Sequence, residues 1–88
     1  MTWRIEVKPA AERQHLKLDA ATRRRIKRAL SELGVDENPF HNSHVRPLTG
    51  ALKGDCRLRV GNWRVLFTPD REAKTLHIYT ILPRGDAF

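Results

Sequence analysis

The sequence predicts an α+β fold in which an N-terminal strand and a helical hairpin pack on a mostly antiparallel four-stranded sheet. Three observations predict it. Trp3-Arg4-Ile5-Glu6-Val7 alternates apolar and charged side chains, the pattern of a half-buried strand. Two stretches compatible with helix follow, Ala10 to Leu18 and then Asp19 to about Leu33. Three apolar runs, about Cys56–Val60, Trp63–Thr68 and Thr75–Leu82, complete the chain as a meander joined by turns.

Each element has a local cause. Pro9 ends the first strand because it cannot continue the pairing, and it suits the first turn of a helix. Asp19 is a good N-cap for the second helix. On that helix Ile26, Leu30 and Leu33 fall at i, i+4 and i+7 and make one apolar stripe. Gly34 is expected at C′, just past its end. From Gly34 to Gly54 the chain holds three of its five glycines and two of its five prolines, and it reads as a long loop, functional or partly ordered. Gly61-Asn62 between two alternating runs is a strong two-residue hairpin signal.

Eighty-eight residues form one domain, 1–88, with a thin core that buries roughly 60% of the unfolded surface. This excludes a two-domain enzyme with a deep cleft. No apolar run approaches the ~20 residues needed to span a bilayer. The N-terminal stretch carries no apolar signal region, so the expected compartment is the cytoplasm, with no membrane role. Seventeen Lys and Arg against ten Asp and Glu give a net charge of +7, which favours an anionic partner. A single cysteine, Cys56, excludes an internal disulfide and a cysteine-based zinc cluster.

The hairpin fixes which side chains share a face. With Gly61 and Asn62 as its loop, Val60 faces Trp63, Arg59 faces Arg64, Leu58 faces Val65 and Arg57 faces Leu66. One face then carries Cys56, Leu58, Val60, Trp63, Val65 and Phe67 and must pack on the helices. The other carries Arg57, Arg59, Arg64 and Leu66. Opposed like charges destabilise a sheet, and a sequence selected for stability alone would put Glu or Thr opposite Arg59. Long arginines splaying into water is one reading. The other is an anion site, since guanidinium forks grip phosphate bidentately and keep their charge. Arg46 to Arg64 adds Arg46 and Lys53 to these three, against one acid, Asp55. Arg84 follows the last strand and is placed to return to the same face. The run Arg23-Arg24-Arg25-Ile26-Lys27-Arg28 reads first as a solvated helix face and second as a contact for a phosphate backbone.

Arg46-Pro47-Leu48, Leu52-Lys53-Gly54, Cys56 to Phe67 and Pro83-Arg84-Gly85-Asp86-Ala87-Phe88, in that order and spacing, resemble the RelE/ParE superfamily of toxins from type II toxin–antitoxin systems. The most specific part is the Arg-x-Arg-x-Gly-x-aromatic-Arg block from Arg57 to Arg64. The resemblance implies a ribosome-dependent endoribonuclease that cuts mRNA in the A site without metal or other cofactor. There the messenger's own 2′-hydroxyl attacks the adjacent phosphate, and the protein supplies positioning and cations. It implies catalytic roles for Arg57, Arg59, Arg64 and Arg84. RNA contacts, to mRNA and ribosomal RNA, are expected from Arg46, Lys53, Phe88, Arg24 and Arg28, and an acidic antitoxin is the expected partner. Phe88 stands where RelE-like nucleases often carry a tyrosine, so it can stack on a base but cannot give a proton. His77 and Tyr79 on the last strand are the substitutes the sequence offers. Two alternatives stay open: a ParE-like inhibitor of DNA gyrase without nuclease activity, and a catalytically weak RNA-binding relative.

Other motifs carry less. His41-Asn42-Ser43-His44 has ligand-like spacing but no third ligand nearby, and reads as a polar loop rather than a metal site. Cys56 on the core face reads as a small buried hydrophobe.

Overall fold

The computed structural model describes residues 2–86. The elements run β1 (Arg4–Val7), α1 (Pro9–Leu16), α2 (Ala20–Val35), β2 (Val45–Pro47), β3 (Cys56–Val60), β4 (Trp63–Asp70) and β5 (Thr75–Pro83). Single 3-10 turns occupy Pro39–His41, Gly50–Leu52 and Arg84–Asp86. The strands form one sheet in the order β1-β5-β4-β3-β2, with β1 parallel to β5 and the other pairs antiparallel.

The α+β class is as the sequence predicts, but the sheet has five strands, not four. The additional strand, β2, lies inside the stretch read as a loop. It is three residues long, too short to show a period, and Pro47 ends it on the sheet edge, where a missing N–H costs no ladder bond. Val45 pairs with Leu58, Arg46 with Arg57 and Pro47 with Cys56.

Pro9 opens α1 at its first turn. The Asp19 carboxylate accepts from the Thr22 backbone N–H at 3.1 Å, so α2 is capped as its sequence requires. Its apolar stripe of Ile26, Leu30 and Leu33 packs into a core with Val65, Phe67, Leu76 and Ile78. Gly34 departs from its expected place: it is inside α2 rather than past it. A Cβ there would lie 3.2 Å from Ile5 Cγ1 and 3.3 Å from the Trp3 carbonyl oxygen. The Gly34 carbonyl accepts from the Trp3 N–H at 2.9 Å. Glycine is used here to bring a helix end onto the start of β1, not to reverse the chain.

Between β4 and β5 the register slips. Leu66 pairs with Thr80 and Phe67 with Ile78, leaving Tyr79 as the extra residue of a bulge. Beyond the end of β1, the exposed edge of β5 is closed by a side chain. Gln14 Oε1 of α1 accepts from the Ile81 N–H at 2.8 Å, a donor that β1 no longer reaches.

Candidate anion site

The pairing of β3 with β4 is the one the Gly61-Asn62 turn dictates: Arg59 opposite Arg64, Leu58 opposite Val65, Arg57 opposite Leu66. Cys56, Leu58, Val60, Val65 and Phe67 are buried on the helix side, and Trp63 is half-buried. On the other side, two rows of cations cross the sheet. Arg46 of β2 faces Arg57 of β3, and one step along, Arg59 faces Arg64. His44 extends the second row, because its carbonyl accepts from the Arg59 N–H at 2.9 Å.

Arg64 is the centre of this face. It is only 8% exposed, and its Nη1 donates to the carbonyls of Gly61 at 3.3 Å and Trp63 at 3.1 Å. Burial, followed by the nearby charges of Arg57, Arg59 and Arg84, pulls its pKa below the usual guanidinium value. Among the described residues neither Arg59 nor Arg64 makes an ion pair with a carboxylate. A buried cation held by carbonyls and ringed by like charges is short of an anion.

Two adjoining hollows open on it. One, of about 330 Å³, is lined by Ser43, His44, Arg46, Arg57, Arg59 and Arg64. The other, of about 500 Å³, includes His44, Arg59, Arg64 and Arg84. Arg84 reaches the site because its N–H donates to the Asn62 carbonyl at 2.8 Å, which ties the turn after β5 to the β3–β4 hairpin. The four arginines read as catalytic from the sequence are thus brought together, and Arg46 joins them.

The other expected site residues lie elsewhere. Lys53 is exposed in the turn after Gly50–Leu52 and lines neither hollow. Arg24 and Arg28 are exposed on α2, and Arg28 Nε lies 3.4 Å from Glu32 Oε1. Phe88 is outside the described residues. His77 is remote from the arginines: its Nδ1 lies 3.5 Å from Glu6 Oε1 of β1. Tyr79 donates its hydroxyl to Asp55 Oδ2 at 2.8 Å. Burial, with that carboxylate alongside, raises its pKa above the ordinary phenol value. The bond also occupies Asp55, the one acid of the Arg46–Arg64 stretch. Tyr79 lines a different, apolar hollow with Ala51, Leu52, Leu66 and Leu82, and Leu66 on the arginine face is buried rather than open to water.

The sequence reading missed His44, taken there as part of a polar loop. It is the one imidazole that lines both cationic hollows. The available signal was its alternation with Arg46, which puts both on one face once β2 is recognised as a strand. Among the described residues, no three of His, Cys, Asp and Glu group as a metal site. Cys56 is buried, and desolvation raises its pKa.

The fold has relatives among known proteins. No curated protein sequence matches the chain. Among solved structures it is similar to the archaeal RelE–RelB complex from Pyrococcus horikoshii OT3, at 27% identity and a TM-score of 0.80 over 99% of this chain and 100% of that one. It is similar to the RelBE2 toxin–antitoxin complex of Mycobacterium tuberculosis, at 25% identity and a TM-score of 0.70 over 96% and 100%. The intact RelBE complex of E. coli shares the fold at 17% identity, with a TM-score of 0.70 over 92% and 95%. The family model described as the ParE toxin of type II toxin–antitoxin systems matches residues 5–88. The chain therefore belongs to the RelE/ParE family and is a toxin of a type II toxin–antitoxin system.

Proposed function

We propose that this toxin is an endoribonuclease of the RelE type, cutting messenger RNA in the ribosomal A site. The observation that carries the reading is the convergence of Arg57, Arg59 and Arg84 on the buried, carbonyl-anchored Arg64. In such a cleavage the 2′-oxygen attacks the neighbouring phosphorus and the bond to the 5′-oxygen breaks. Negative charge builds on the phosphoryl oxygens between these events. Cations already fixed where that charge develops stabilise the transition state more than the bound substrate. Arg64 is the fixed donor, Arg57 and Arg59 flank the phosphate, and Arg46 and Arg84 hold the strand at either side.

Two protons must also move, from the 2′-hydroxyl and to the departing 5′-oxygen. Arginine does not deprotonate at accessible pH, Tyr79 is committed to Asp55 and His77 is remote. His44 is the group in place, and imidazole is the side chain best suited to both transfers near neutrality.

The partner proposed for the resting state is an acidic antitoxin, since the related structures are complexes with RelB antitoxins. Its carboxylates would satisfy the same arginines, so complex formation should slow as salt rises. The ParE name of the matching family model supports a second reading, in which the toxin poisons DNA gyrase and cuts nothing. One experiment separates the two: induction of the toxin in growing cells with mapping of new mRNA 5′ ends. Frame-linked cuts that vanish in Arg59→Ala/Arg64→Ala support the nuclease. Intact messages with broken DNA overturn it.

A further inference from the structure

The basic run on α2 does not end as a solvated helix face, because one of its members crosses to the hairpin. A Cβ on Gly61 would lie 2.7 Å from Arg25 Nη2 and 3.1 Å from its Cζ and Nη1. The guanidinium of Arg25 therefore lies close over the turn, on the side where a β-carbon at position 61 would project. Gly61 also needs its freedom for backbone reasons, with φ at +58°. Its carbonyl is one of the two that hold Arg64 Nη1. A single residue thus seats Arg25 on one side and the central arginine on the other.

The hollow this creates is lined by Arg25, Arg59, Arg64, Arg84 and His44, with no acidic side chain among its lining residues. Among the described residues Arg25 forms no ion pair. Exposed on α2, this long side chain stands there beside other cations and without a carboxylate in return. Such an arrangement is unfavourable until an anion enters. The hollow shares His44, Arg59 and Arg64 with the one that contains Arg57 and Arg46, so occupants of the two are immediate neighbours.

From this geometry we infer that Arg25, seated on Gly61 and joined by Arg84, forms a second phosphate subsite for the phosphodiester next to the scissile one on a single-stranded nucleic acid. The inference rests on the reading of the arginine face as a phosphate site and extends it by one linkage. It predicts that the toxin counts phosphates: a strand with two adjacent anionic linkages engages both hollows, and one with a single charge engages one.

The test is fluorescence anisotropy with uncleavable 2′-O-methyl RNA trinucleotides, fully charged or with one linkage replaced by neutral methylphosphonate. For the wild-type toxin, neutralising either linkage should weaken binding about tenfold. For Arg25→Ala, neutralising one of the two should no longer matter, while the other keeps its full effect. The slope of log K against log salt should also fall by about 0.7, the value of one lost contact on a single strand. Gly61→Ala is a poor probe because it strains the turn, whereas Arg25 is exposed on a helix, and circular dichroism of Arg25→Ala checks that its fold is intact. Equal sensitivity of Arg25→Ala and wild type to both linkages would overturn the subsite, even with cleavage of messages unaltered. Linkage counting lost in Arg25→Ala, in a wild type that cuts no message, would support the subsite and sink the nuclease reading alone.

Discussion

Arg59 and Arg64 stand directly opposite each other across a two-residue turn, like charges in a single cross-strand pair. A pair of this kind costs a sheet rather than stabilising it. Arg59→Thr should therefore raise stability by about 0.2–1 kcal/mol while removing activity. Thermal unfolding beside a cleavage assay checks both halves of this trade. A variant that lost stability and kept activity would mean that the pair is structural.

Arg64 and Arg59 should matter to rate more than to binding. Alanine at either position should lower cleavage by about 10²–10³-fold, the effect of losing one preorganised donor, with a much smaller change in RNA affinity. Arg64→Lys should not rescue the loss. An ammonium cannot donate to the Gly61 and Trp63 carbonyls and present a second edge to phosphate. Single-turnover cleavage measured next to equilibrium binding separates the two effects.

His44→Gln keeps a polar side chain of similar size and removes the proton carrier. Cleavage should fall by about 10²–10⁴-fold with RNA affinity nearly unchanged. The paired variants His77→Gln and Tyr79→Phe should leave most of the rate intact, since neither side chain lines a cationic hollow. A rate that survives His44→Gln would move the proton transfer to another group.

Tyr79 gives a pH-dependent contribution to stability. Its pKa is raised in the folded chain above the ordinary value of 10.0, so the folded state holds the proton more tightly than the unfolded one. The stabilisation is fully present below about pH 10 and is lost as pH climbs from there through the folded pKa. Tyr79→Phe should cost about 1 kcal/mol near neutrality from the lost bond to Asp55 and should flatten the alkaline side of the unfolding curve. Urea unfolding from pH 7 to pH 11 tests it.

Gly34→Ala ordinarily strengthens a helix by about 1 kcal/mol. Here the new methyl meets the Trp3 carbonyl at 3.3 Å, on a backbone that is itself tied to Gly34. Net destabilisation of about 1 kcal/mol is expected, read as a lower thermal midpoint. A rise in the midpoint would show that the start of β1 yields easily.

What the sequence by itself determined is what near neighbours in the chain enforce. A two-residue turn sets the register of β3 on β4, and a period of two then assigns Arg57, Arg59 and Arg64 to one face and Leu58, Val65 and Phe67 to the other. Asp19 and the Ile26–Leu33 stripe set the start and the buried side of α2 in the same local way. Four things were left to the tertiary structure. β2 exists because β3 offers an edge, not because three residues prefer to be extended, and only its pairing brings His44 beside Arg59. The slip at Tyr79 comes from matching β5 to β4 over a loose turn, and it sends the phenol to Asp55 instead of the arginines. Arg84 and Arg25 arrive from the turn after β5 and from α2, 20 and 39 positions from Arg64, through contacts with Asn62 and Gly61. Periodicity and turn chemistry act over a few residues, whereas the closing of a charged site depends on which distant segments the core forces together.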